Sequence, residues 1–114
     1  MMDTNEVISG LIQELRRGTL VMLVLSELQK PMYGYDLVKR LDEAGISIEA
    51  NTLYPLMRRL EGQGMLESQW ETGGSKPRKY YQLTPDGKVV LEKIKKHWKE
   101  FSNRVNGILE EENK

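Results

Sequence analysis

Three of the four residues 76–79 are basic (Lys76, Arg78 and Lys79), and Arg58 and Arg59 lie just upstream. Ammonium and guanidinium groups gathered in this way neutralise phosphate, a contact that gives affinity without reading sequence. Asn51, Tyr54 and Arg58 recur at spacings of three and four, which places them on one face of a helix. Amide, phenol and guanidinium groups suit base edges as well as phosphate. No comparable set serves covalent catalysis. The 114 residues hold no cysteine and one histidine, His97. That excludes disulfides, thiolate zinc sites, cysteine nucleophiles and paired-histidine metal centres together. The carboxylates are scattered over helix surfaces, and Gly73-Gly74 serves a turn rather than a phosphate cradle. Neither an enzyme nor a cofactor or metal is expected, and His97 reads as a surface residue.

The whole chain balances 17 Lys and Arg against 17 Asp and Glu, which argues against a general nucleic-acid coat. Residues 48–83 carry five basic against four acidic groups, so the basic footprint is a local concentration rather than an excess. The longest apolar run, Leu20 to Leu25, is six residues, far short of the roughly 20 that cross a bilayer. The acidic start Met-Met-Asp-Thr-Asn-Glu lacks the apolar stretch of a signal peptide. A cytoplasmic protein without membrane contact is expected.

Gly and Pro clusters around Pro31 to Gly34, at Gly62 and Gly64, and from Gly73 to Pro77 set the elements that position these groups. The first helix is expected from about Thr4 to Leu28. It is amphipathic at Ile8, Leu11, Ile12 and Leu15, then apolar all round from Leu20, which marks a helix buried in the domain. A second, from about Gly34 to Ala44, presents Leu37, Val38, Leu41 and Ala44 on one face, with Gly45 placed to end it. A third, from about Ala50 to Gln63, turns Leu53, Leu56, Met57 and Leu60 inward. Its outer face then carries Asn51, Tyr54, Pro55, Arg58 and Gly62. Ser47, Glu49 and Asn51 are all possible caps; Pro55 costs least if Asn51 caps and Pro55 falls near the first turn. Two strands follow, Met65 to Glu71 and Arg78 to Leu83, forming a hairpin with an exposed tip. Tyr80 and Tyr81 point to opposite faces of one strand, so one of them belongs to the core. Thr84-Pro85-Asp86 starts a last helix reaching about Glu112, with Thr84 as its N-cap.

This order is that of a winged helix-turn-helix: a mainly α fold with a small β-hairpin (α+β), followed by a long C-terminal helix. The third helix is free to enter a major groove roughly 12 Å wide, with the hairpin tip beside it. Leu91, Ile94, Trp98, Phe101, Val105 and Ile108 are spaced 3, 4, 3, 4, 3, an a/d seam. A helix of this length outruns so small a domain, so the seam is expected to pair two copies, with Ile8, Leu11, Ile12 and Leu15 as the partner face. Residues 1–84 are assigned to the winged helix-turn-helix and 85–114 to the dimerisation helix.

At this level of detail the chain resembles the PadR family of transcriptional regulators, in its form with a single C-terminal helix. The resemblance is carried by Leu15-Arg16-Arg17-Gly18-Thr19-Leu20, Met32-Tyr33-Gly34-Tyr35-Asp36-Leu37, Asn51-Thr52-Leu53-Tyr54-Pro55-Leu56, Arg59-Leu60-Glu61 and Arg78-Lys79-Tyr80-Tyr81. It spans roughly residues 12 to 90. It implies a homodimer that binds double-stranded, pseudo-palindromic operator DNA, usually as a repressor. The expected DNA-contacting set is Tyr33, Asn51, Thr52, Tyr54, Pro55, Arg58, Lys76, Arg78 and Lys79. Some relatives hold flat aromatic compounds between tryptophans of their C-terminal helices. The resemblance therefore implies a small planar hydrophobic effector at Trp98 and Phe101, against the plainer reading that both are dimer core. The competing function is a protein-interaction module that has lost DNA binding, which the zero net charge keeps open.

Overall fold

The computed structural model describes residues 3–111. In chain order it contains α1 (Thr4–Glu27), β1 (Met32–Tyr33), α2 (Gly34–Glu43), α3 (Ala50–Gly62), β2 (Leu66–Glu71), β3 (Arg78–Leu83) and α4 (Pro85–Glu111). The expected end of the last helix at Glu112 lies outside the described residues. The fold class is as expected, a mixed α+β winged helix with four helices and one small antiparallel sheet.

One element was not legible in the sequence. Met32 and Tyr33 form an edge strand against β3, in register Met32↔Tyr81 and Tyr33↔Tyr80, so the sheet has three strands in the order β1-β3-β2. Two residues are too few to show a period of two. The pairing is made instead by chain path: Leu83 N–H donates to the Leu28 carbonyl at 2.8 Å and draws the end of α1 onto β3.

The core is built where the third of α1 nearest its C-terminus meets the other elements. Leu20, Val24, Leu25 and Leu28 are buried with Leu37 and Leu41 of α2, Leu53, Met57 and Leu60 of α3, Leu66, Tyr81 and Leu91. Tyr81 is thus the core member of the tyrosine pair. Both short helices end in the same way. Gly45 (φ 86°) and Gly64 (φ 81°) adopt the left-handed conformation, while Ile46 N–H reaches the Leu41 carbonyl at 2.8 Å and Met65 N–H that of Leu60 at 2.9 Å. These are Schellman closures, and glycine takes the positive φ without a Cβ penalty. Thr84 caps α4 as expected, accepting from Gly87 N–H at 2.9 Å and donating to the Gly64 carbonyl at 2.6 Å.

The cap of α3 differs from the reading that suits Pro55 best. Glu49, not Asn51, is the N-cap, through its backbone only, and Pro55 is the sixth helical residue. The Asn51 carbonyl therefore loses its i+4 donor, a cost of about 1 kcal/mol. Water can serve that carbonyl because Asn51 and Pro55 are both exposed.

The two ends of the seam on α4 have different environments. Leu91 is fully buried and Ile94 half-buried against the chain's own core. This corrects the assignment of Leu91 to a contact between copies, because the first turns of α4 pack against α1 and the sheet. Beyond them Trp98, Phe101, Val105 and Ile108 are exposed, as are Ile8, Leu11, Ile12 and Leu15 on α1. The radius of gyration is 17.1 Å and the extents are 61 × 36 × 24 Å. A compact domain of this length has about 13 Å, so the distal parts of the two long helices project from the body.

Candidate nucleic-acid interface

At 100° per residue, the outward direction of α3 is shared by Asn51, Pro55, Arg58 and Gly62. All four are exposed, as is Thr52 on one flank. Tyr54 lies about 60° to the other side. It is half-buried, and its ring fills the space that a Cβ on Gly34 would occupy. This corrects the outward placement of Tyr54: the ring is wedged against the start of α2 and helps set how α2 and α3 cross. Arg59 is exposed and makes no ion pair among the described residues.

The hairpin divides its charges between two faces. Pairings Ser68↔Tyr81 and Trp70↔Lys79 share the face towards α3, whereas Gln69↔Tyr80 and Glu71↔Arg78 share the face away from it. Lys79 is on the inner face. It reaches Glu61 of α3 at 3.7 Å and lies over the rings of Tyr81 (5.3 Å) and Trp70 (5.9 Å). Its side chain is about one-third exposed, and Ser68 donates to the same Glu61 carboxylate. Lys79 therefore joins the wing to α3, which departs from the free phosphate contact expected of it.

The outer face holds a second group. The Tyr33 hydroxyl donates to the Glu71 carboxylate, and the Arg78 guanidinium sits 5.2 Å above the Tyr33 ring. Tyr80 meets Tyr33 edge-on at 6.2 Å and donates to Gln69 at 2.8 Å. The hydrogen bond to Glu71 is the main cause that raises the Tyr33 phenol above its ordinary value; desolvation and the charge of Glu71 add to it, while Arg78 opposes it. Lys76 is at the exposed tip. Tyr33 and Arg78 thus share one side of the wing, with Lys76 beyond them at its tip. Sequence reasoning missed Glu71 as a member of this group, although the strand alternation that places Gln69 and Glu71 opposite to Trp70 was readable.

On α4, Trp98 and Phe101 are about half exposed, and His97 stacks on Phe101 with centroids 5.8 Å apart and planes 12° from parallel. Val7 and Leu109 extend the two bare apolar stretches and were not anticipated. No helix among the described residues is long and apolar enough to cross a membrane.

A short helix pair, an exposed outer face on the second of them and a three-stranded wing define the winged helix-turn-helix class. Residues 21–93 match the Transcriptional regulator PadR-like family, and the chain belongs to that family, whose members are regulators and not enzymes. It is similar to a PadR family regulator from Eggerthella lenta DSM 2243, with 57% identity, a TM-score of 0.89 and coverage of 93% of this chain and 95% of that one. A PadR-like transcription factor from Bacteroides fragilis shares 36% identity at a TM-score of 0.73, over 87% and 98% of the two chains. A transcriptional regulator of Mycobacterium tuberculosis is 30% identical over 76 residues, 67% of this chain and 71% of that protein.

Proposed function

We propose that the protein is a cytoplasmic, homodimeric repressor that binds a pseudo-palindromic operator near the genes it controls, with a small planar hydrophobic molecule relieving repression. The observation that carries the DNA-binding part is the exposed outer face of α3, with Asn51, Thr52, Pro55 and Arg58, together with the exposed cations Arg78 and Lys76 of the wing. On this reading Arg58 reads a base edge and Lys76 holds phosphate. Residues 1–84 form the reading unit, and α4 beyond Ile94 forms the pairing unit. What supports pairing is the bare apolar surface on both long helices, since a lone chain would leave Leu15 74% and Ile108 65% exposed. A two-fold axis then sets equivalent half-site features about 10 bp, or a multiple, apart. Trp98 and Phe101, brought near the axis, supply flat faces on which an aromatic effector stacks for roughly 1 kcal/mol beyond area burial.

A gel shift on the protein's own upstream promoter tests this. Arg58→Ala is expected to weaken operator binding and blur preference at one base step. Lys76→Ala is expected to weaken all duplexes alike and lower the salt slope by about one. Equal affinity of the wild-type protein for promoter and random DNA at physiological salt would refute the reading.

A further inference from the structure

The outer face of the wing holds two related hydrogen bonds. In both instances a phenol donates to the side chain of a β2 residue: Tyr80 to Gln69, and Tyr33 to Glu71. A neutral amide suffices to hold the first. The second, two residues closer to the tip, carries a negative charge opposite Arg78 in register. That charge is placed where the wing's cations would meet DNA phosphate. It occupies the hydroxyl of Tyr33, and Arg78 lies over the ring of the same tyrosine. A carboxylate resembles a phosphate in charge and in its acceptor oxygens.

We propose that Glu71 is a built-in competitor for DNA phosphate near the tip of the wing, holding Tyr33 and repelling the backbone so that the wing's affinity for any duplex is kept low. This rests on the DNA-binding reading above. When a duplex docks, a phosphate oxygen displaces the Glu71 carboxylate from the Tyr33 hydroxyl and takes Arg78 as its counter-charge. Operator choice is then left to α3, because the sequence-independent contribution from the wing is partly cancelled. The inner-face cation Lys79 is already engaged with Glu61, so Arg78 and Lys76 are the wing cations that Glu71 tempers.

Glu71→Gln keeps the acceptor and removes the charge, so the hairpin is preserved. Fluorescence anisotropy with a labelled random duplex about 25 bp long and with the promoter fragment, between about 50 and 200 mM salt, reads the effect. E71Q is expected to bind both duplexes about three- to tenfold more tightly at the low-salt end, with a salt slope steeper by about one. In a Tyr33→Phe background the gain should be smaller, because the charged hydrogen bond that phosphate displaces is gone while the repulsion by Glu71 remains. A readout without DNA is the ultraviolet titration of the tyrosines, in which the Tyr33 midpoint should fall in E71Q. Binding by the wild-type protein that E71Q leaves unchanged or weakens overturns this inference alone, as does an unmoved Tyr33 midpoint. No binding of either duplex by the wild-type protein removes the DNA-binding reading and this inference with it.

Discussion

If two copies pair through α1 and the distal half of α4, Phe101→Ala is the substitution that exposes it. Phe101 is 50% exposed in one chain. A phenylalanine side chain buries about 200 Å² when covered, so pairing removes about 100 Å² more per copy. At about 25 cal/mol per Å² that is about 2.5 kcal/mol, of which alanine's methyl recovers a little. A two-fold contact carries the change twice. The expected loss is about 4 kcal/mol per dimer, or a dissociation constant about a thousandfold weaker. The folded chain should notice little, since Phe101 stacks only on the exposed ring of His97. Sedimentation equilibrium over a dilution series reads the outcome directly. The wild-type protein should weigh about twice the 13.2 kDa of one chain at micromolar concentration, and the variant should dissociate there with its helical content intact. A wild-type mass of one chain, or a dissociation constant within threefold of wild type in the variant, would refute the pairing.

Two further outcomes follow from contacts inside one chain. Gly34→Ala sets a methyl group against the Tyr54 ring, and overpacking of this kind costs about 1–3 kcal/mol; thermal melting should fall by roughly 4–8 °C for each kcal/mol. The loss should be smaller when Tyr54→Leu is added, because the two positions share one contact. The Tyr33 phenol, raised chiefly by its hydrogen bond to Glu71 and also by desolvation and nearby carboxylate charge against Arg78, links stability to alkaline pH. Its folded value lies above the unfolded value of about 10, so the contribution is complete below pH ~10 and is lost as pH rises through the folded value. Denaturant midpoints from pH 8 upward should show that loss begin near pH ~10 and be smaller in E71Q, whereas a pH-independent difference between the two proteins would contradict the linkage.

Periodicity revealed most of the frame because burial is one-sided in α2 and α3. Leu37 and Leu41, or Leu53, Met57 and Leu60, can face only one way, and each is buried. Glycine marked both helix ends because Gly45 and Gly64 take a positive φ. What the sequence concealed was decided by neighbours distant along the chain. The two-residue β1 exists because β3 offers it partners. Tyr54 is at the margin of its helix's outer face, and only the missing side chain at Gly34 determines that it turns inward. Lys79 and Arg78 are adjacent and equally charged, yet strand alternation sends one to Glu61 and the other to Tyr33. A run of basic residues on a strand is therefore two half-populations, and counting it as one patch overstates what faces DNA.

The same partition applies to the seam on α4. A stripe at a/d spacing does not state which of its members the chain itself will cover. Here the boundary falls between Ile94, half-buried on the core, and Trp98, about half exposed. The residues on the core side make the first turns of α4 rigid with respect to the sheet, since Leu91 is fully buried and Gly87 has no room for a Cβ beside the Met65 carbonyl. On the proposed dimer, the angle at which the distal helix leaves the body therefore fixes the separation of the two α3 helices. An effector at Trp98 and Phe101 would act one turn beyond that rigid segment, where a change in packing between copies alters spacing without disturbing either core. The energy available to it is bounded by differential contact in the two spacings; reducing operator occupancy from 99% to 1% would need about 5.5 kcal/mol of such preference. Two symmetric sites, each contributing about half of that, could supply it, and a single stacking contact of about 1 kcal/mol could not. On the proposed reading, release from the operator then calls for an effector that buries substantial apolar area at both Trp98 positions.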